Sequence, residues 1–136
     1  MTTTVQDELT EKVIGLAMKV HNTLGPGFVE FVYRNALIRE LTHAGISVEV
    51  ERSLKVYYDE AVVGEFRADL WIDNWLICEL KAVQTLQADH EIQVVNYLSA
   101  TKQEFGLLMN FGSKRLQVKR KYQRRITNDV PADLLA

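Results

Sequence analysis

A chain of 136 residues, 47% of them hydrophobic, is long enough for one compact domain with its own core and too apolar for disorder. Its formal net charge of −2 excludes a nucleic-acid binder of the generically basic kind, although seven basic residues and no acid lie between Lys114 and Arg125. The single cysteine, Cys78, excludes an internal disulfide or a cysteine-based zinc cluster, and an N-terminus without signal-peptide character leads us to expect a soluble, cytoplasmic protein.

From Val5 to Leu24, apolar residues recur at helical spacing through Leu9, Val13, Leu16, Ala17 and Val20, which predicts an amphipathic helix. Gly25-Pro26-Gly27 stops it and turns the chain. A second helix is expected from about Val29 to Ala44, with Gly45 as its stop, so an αα-hairpin opens the fold. Projection at ~100° per residue gathers Asn35, Arg39, Glu40, Thr42 and His43 on one side and Phe31, Tyr33, Leu37, Ile38 and Leu41 on the other. Glu30 falls in the middle of the apolar side, which aims a carboxylate inward. An acid that merely complements the helix dipole is the competing reading.

Ile46, Val48 and Val50 alternate with polar residues, Leu54, Val56 and Tyr58 continue the pattern, and Asp59-Glu60 makes a turn. Val63 to Ile72 is the next strand, with Glu65, Arg67, Asp69 and Trp71 on one face and Phe66, Ala68, Leu70 and Ile72 on the other. Asp73-Asn74 then leads into Trp75–Ala82, an apolar run that reads as a strand buried on both faces yet carries Glu79 and Lys81 on one of them. Charges on a buried strand are costly unless paired or bound to a metal. A two-residue loop would set Asp69 opposite Cys78. A three-residue loop or a bulge sets Asp69 opposite Glu79, and this second register is predicted. A helix follows from Gln87 or Ala88 to Thr101, with Ile92, Val95 and Leu98 as apolar contacts and His90, Gln93 and Tyr97 in one stripe. For His90, a place on the boundary between core and solvent is favoured over a ligand role. Strands at Phe105–Phe111 and Leu116–Tyr122, joined through Gly112-Ser113-Lys114, precede a tail with at most a helical turn. The order of elements predicts a single α/β domain, a mixed sheet flanked by helices.

If the second helix packs over the hairpin, Glu30, Asp69 and Glu79 converge with Lys81. Oxygen-rich sites of this kind suit Mg²⁺ or Mn²⁺, with the lysine orienting a water or neutralising charge, and the reaction implied is phosphodiester hydrolysis. The spacing from Asp69 through Glu79 to Lys81 is weak evidence alone, since Glu79 and Lys81 could simply pair; burial strengthens it. The sequence has no glycine-rich phosphate loop followed by Lys-Ser/Thr, no nucleophile elbow and no histidine pair at metal-binding spacing.

The stretch from Gly25 to Tyr33 resembles the G-x-x-E-x-x-Y signature of the GxxExxY protein family, on Gly27, Glu30 and Tyr33. The resemblance continues through R-A-D-L at Arg67–Leu70, E-L-K-A-V at Glu79–Val83, H-E-I-Q-V-V-N-Y-L at His90–Leu98 and N-F-G at Asn110–Gly112, and covers roughly Val13 to Tyr122. That family is assigned to the PD-(D/E)XK nuclease superfamily, so the resemblance implies a restriction-endonuclease-like core. It also implies a metal-binding Asp69, Glu79 and Lys81 as the (D/E)-x-K pair, Glu30 as an additional ligand, and the Leu80 backbone carbonyl as a further one. Gln93 and Tyr97 match the Q-x-x-x-Y motif, which supports the site and contacts substrate. Ala68 stands where the motif has proline, an accepted replacement, and Gln87 stands where relatives have a threonine cap.

The leading expectation is a Mg²⁺- or Mn²⁺-dependent nuclease acting on DNA, with Lys114, Arg115, Lys119, Arg120 and Lys121 contacting phosphates. The competing reading of that basic stretch is a solvated strand edge. The alternative function is a catalytically silent nucleic-acid- or protein-binding module on the same fold. A third reading is a homodimer through Trp71 and Trp75, exposed near the hairpin tip.

Overall fold

The computed structural model describes residues 4–124, so the expected tail lies outside the described residues. Helix α1 (Val5–Leu24) begins at Thr4, whose hydroxyl accepts from the Asp7 N–H at 3.0 Å while the Asp7 carboxylate accepts from the Thr4 N–H at 3.3 Å. Helix α2 (Glu30–His43) buries the stripe Tyr33, Leu37 and Leu41. Phe31 is exposed rather than part of the apolar side, because two steps of about 100° carry it to the far side from Tyr33.

Strands β1 (Val48–Tyr58) and β2 (Ala61–Ile72) form a long hairpin, joined by Asp59 and Glu60 at φ 50° and 67°. Strand β3 (Leu76–Lys81) follows, then helix α3 (Ala88–Thr101), β4 (Phe105–Asn110) and β5 (Gln117–Tyr122). The five strands lie in sequence order, all antiparallel except the β3–β4 pair, which α3 connects as a crossover. Helices α1 and α2 cover one face over Leu70, Ile72, Leu76, Cys78, Leu80, Leu107 and Met109. Helix α3 covers the other over Leu54, Ala68, Trp71, Ile77 and Leu108. Strand β3 is buried on both faces, as its sequence predicts.

The register is the second of the two considered. Ile72 pairs with Leu76 and Leu70 with Cys78, leaving Asp73, Asn74 and Trp75 as a three-residue connection with Asp73 and Asn74 at φ 52° and 54°. The alternation along β2 is not continuous, however. Ala68 packs on the α3 side whereas Leu70 packs on the α1–α2 side, so the expected face shared by Phe66, Ala68, Leu70 and Ile72 is split. The break falls at Asp69, between the pairs Val50–Leu70 and Arg52–Ala68, where the intervening β1 residue Glu51 has φ 55°. A left-handed residue within a strand interrupts the pleat, and here it re-aims the side chain across from it.

On α3 the buried stripe is Val94, Tyr97 and Leu98, at i, i+3 and i+4, which leaves Ile92 exposed instead of in contact. The tryptophans are not an exposed pair. Trp71 is 5% exposed beneath the Arg52 guanidinium, 3.9 Å from its ring, and Trp75 stacks on Phe105 at 6.0 Å.

Candidate active site

The backbone ladder between β2 and β3 ends at the Leu70–Cys78 pair, and two carboxylates continue it. Glu79 Oε1 accepts from the Asp69 N–H at 2.9 Å, and Asp69 Oδ2 accepts from the Leu80 N–H at 2.8 Å. Each acid thus holds the opposite strand by one oxygen and has a second oxygen to give. Glu79 is 4% exposed. Burial, and then the Asp69 charge, push its carboxyl well above the usual carboxylate range, against the downward pull of the Asp69 N–H and of Lys81. A carboxylate as buried as Glu79, with a second acid beside it, holds its charge at a cost that a nearby cation would offset.

Glu30 enters from the start of α2. Desolvation and the Asp69 charge raise its pKa while Lys81 and Arg34 lower it, so its carboxylate lies within electrostatic reach of the pair and of the lysine. Tyr33 fixes that helix start. Its hydroxyl donates to the Gly25 carbonyl and accepts from the Phe28 N–H at 3.1 Å, and its ring stacks on Phe111 at 4.9 Å. Gly25 and Gly27 have φ of 69° and 117°, so the turn ahead of Glu30 is of a kind that glycine adopts without strain.

Tyr97 and Gln93 reach the site from α3, with the Gln93 amide donating to the Tyr97 hydroxyl at 2.8 Å. Burial and the charges of Glu79 and Asp69 push the Tyr97 hydroxyl up to about 12. His90 does not join them: its Nδ1 accepts from the Gln87 N–H at 3.1 Å and closes the open end of α3. Gln87 therefore starts the helix with His90, not a threonine, capping it.

Two supports have weak sequence signals. Asn110, fully buried, accepts from the N–H groups of Val83 and Gly112 at 3.0 and 3.1 Å and donates to the Val83 carbonyl and Gln117 at 2.8 Å each. It pins the chain just beyond Lys81, and its only signal is the N-F-G triplet. Arg34, one turn after Glu30, donates to Glu51 at 3.0 Å and so ties α2 to the interrupted pleat opposite Asp69; it looks like an ordinary surface arginine in sequence.

The basic residues do not form one surface. Arg120 pairs with Glu11 of α1 at 2.8 Å and Lys121 with Glu91 of α3 at 3.1 Å, on opposite faces of the sheet, while Lys119 is exposed and Lys114 and Arg115 lie in the β4–β5 connection.

Among the described residues, no group of three or more His, Cys, Asp or Glu is drawn together as a metal cage. The donor set nevertheless fits a hard divalent cation, since Mg²⁺ is commonly held by one or two carboxylates together with substrate phosphate and water. The mutual opposition of Asp69 and Glu79 is what such an ion would relieve.

A family model described as the PD-(D/E)XK nuclease superfamily matches residues 7–124, and the chain belongs to that superfamily. The five-stranded mixed sheet flanked by helices is a restriction-endonuclease-like fold. Among solved structures the chain resembles the crystal structure of SSO0001, at 19% identity and a TM-score of 0.55, over 71% of this chain and 51% of that one. The chain thus spans about half the length of that neighbour, and the likeness is one of fold. No curated protein matches.

Proposed function

We propose that the chain is a Mg²⁺- or Mn²⁺-dependent nuclease that hydrolyses phosphodiester bonds of DNA. Superfamily membership supports nuclease chemistry, divalent-metal use and a nucleic-acid substrate, and the observation that carries the site is the buried Glu79 set against a half-buried Asp69 beside Lys81. Within the superfamily we read it as a GxxExxY protein, a reading that Gly27, Glu30 and Tyr33 support.

In this reading Asp69, Glu79 and the Leu80 carbonyl hold the ion, and Glu30 approaches from α2 as a further ligand, directly or through water. There an ion, when bound, would supply Lewis-acid polarisation of the phosphate and an acidified water. Lys81 shares the Glu79 face of β3, where its ammonium orients the attacking water and offsets charge gathering on the phosphate. The Gln93–Tyr97 pair contacts the substrate on the α3 side. Lys114, Arg115, Lys119, Arg120 and Lys121 supply phosphate contacts, for which Arg120 and Lys121 must exchange their acidic partners.

The test is cleavage of single-stranded, duplex and branched DNA and of RNA with Mg²⁺ and with Mn²⁺. Glu79→Ala and Lys81→Ala are each expected to lower turnover by about 100-fold or more while remaining folded. Undiminished cleavage by both variants would refute the assignment.

A further inference from the structure

Between the outer half of the β1–β2 hairpin and the exposed side of α3 lies an open groove of about 1300 Å³. Gln93 and Tyr97 stand at its inner end, so it opens beside the carboxylate pair. Tyr57, Phe66 and Ile92 line it and leave 62%, 45% and 51% of their surfaces to solvent, a concentration of apolar area that the core does not require. The Phe66 ring lies 5.7 Å from that of Tyr97, tilted by 45°, and the two form an aromatic shelf from the groove toward the carboxylates.

The charges around the groove do not favour a polyanion running inside it. Among the described residues that line it, Lys102 is the one fixed cation, with Glu60 and Asp89 carrying the opposite charge and Arg124 at the rim donating to Asn96 at 3.3 Å. What the walls offer is flat apolar area with the amides of Gln93 and Asn96 beside it. Unpaired bases have that complementarity, with a π-face for an aromatic ring and an edge for an amide. A duplex stacks its bases on one another and turns its phosphates outward, so it presents neither.

We propose that this groove takes the unpaired bases next to the scissile phosphodiester, which makes single-stranded or frayed nucleic acid the substrate class. The word scissile rests on the nuclease reading; the binding of bases does not. The test is therefore fluorescence anisotropy of the full chain in EDTA, with labelled oligothymidylate, oligouridylate and a blunt duplex of equal length. Either single strand is expected to bind about tenfold tighter than the duplex, with Phe66→Ala and Tyr57→Ser each losing about tenfold and Phe66→Tyr retaining the affinity. Thermal melts confirm that the variants fold; both positions are largely exposed.

Duplex binding as tight as single-strand binding, or full affinity in both Phe66→Ala and Tyr57→Ser, would overturn the proposal. So would a dimer in sedimentation that Phe66→Ala dissociates without changing oligothymidylate affinity, since the groove would then seat a second copy. Failure of cleavage on every substrate, with single-strand binding that still depends on Phe66, sinks the nuclease reading and leaves the groove assignment standing. Duplex cleavage indifferent to Phe66→Ala does the reverse.

Discussion

Glu79 has to satisfy two conditions at once: it accepts a backbone N–H that the ladder no longer serves, and it is buried beside the charge of Asp69. Because its folded-state pKa is raised, the native metal-free protein binds a proton that the unfolded chain releases once pH exceeds the ordinary carboxylate value. Stability in EDTA should therefore be highest below that value and fall as pH rises through the raised one. Urea midpoints from about pH 5 to about pH 9 should show this decline, and Glu79→Gln should flatten it. Saturating Mg²⁺ should shift the wild-type midpoint upward most at the alkaline end, where the site is ready to exchange its proton for an ion. Tyr33 bears on the same site from a distance. Tyr33→Phe leaves the Gly25 carbonyl and Phe28 N–H without their partner and should cost about 1–2 kcal/mol in urea unfolding, with a further loss of turnover as the helix start carrying Glu30 loosens.

Among the elements, the β2–β3 connection decides whether a site exists at all. Deleting Asn74 while the three-residue connection persists would draw Leu76 into it and slip β3 by one residue, setting Asp69 opposite Leu80 and sending the carboxylates to different faces. The expected outcome is a destabilised chain with no detectable cleavage and no Mg²⁺-dependent rise in melting temperature. The β4–β5 connection has an equally tight requirement. A Cβ on Gly112 would lie 2.4 Å from the Val83 nitrogen, so Gly112→Ala must force the segment after Lys81 away from β4. Its cost should be about 3 kcal/mol or more, read as a fall in the urea midpoint, and Asn110→Leu should cost a similar amount by stranding the Val83 groups.

Across the whole molecule, the two faces of the sheet have separate tasks. Helices α1 and α2 and their side of the sheet form the larger core, whereas the α3 side combines a smaller core with Glu79, Tyr97 and the open groove. The basic strand β5 divides its charges between both sides, so its residues should not contribute equally to nucleic-acid binding. Lys119→Ala should reduce the salt dependence of binding by about one counterion, while Arg120→Ala, already paired with Glu11, should change it less. Anisotropy titrations at several salt concentrations distinguish the two.

Most of this architecture was legible because helical spacing and strand alternation are local. The bounds of α1, the burial of β3 and the register that sets Asp69 opposite Glu79 all follow from which residues must be dry. Glu30 falls between Leu37 and Leu41 in projection, and in the structure it is half-buried within electrostatic reach of Asp69 and Lys81. Phe31, Ile92 and Trp71 were misplaced because exposure depends on which element covers a residue, and a periodic pattern does not name its neighbour. The pleat break at Asp69 was hidden too, since the left-handed residue that causes it, Glu51, sits on another strand. The sequence by itself determined the helices, the strands and the acids that meet across the hairpin, because each follows from a periodicity or a turn. Only the tertiary structure decided that α3 and the hairpin arm leave an apolar groove open beside those acids, because a cavity is a property of how elements fail to meet.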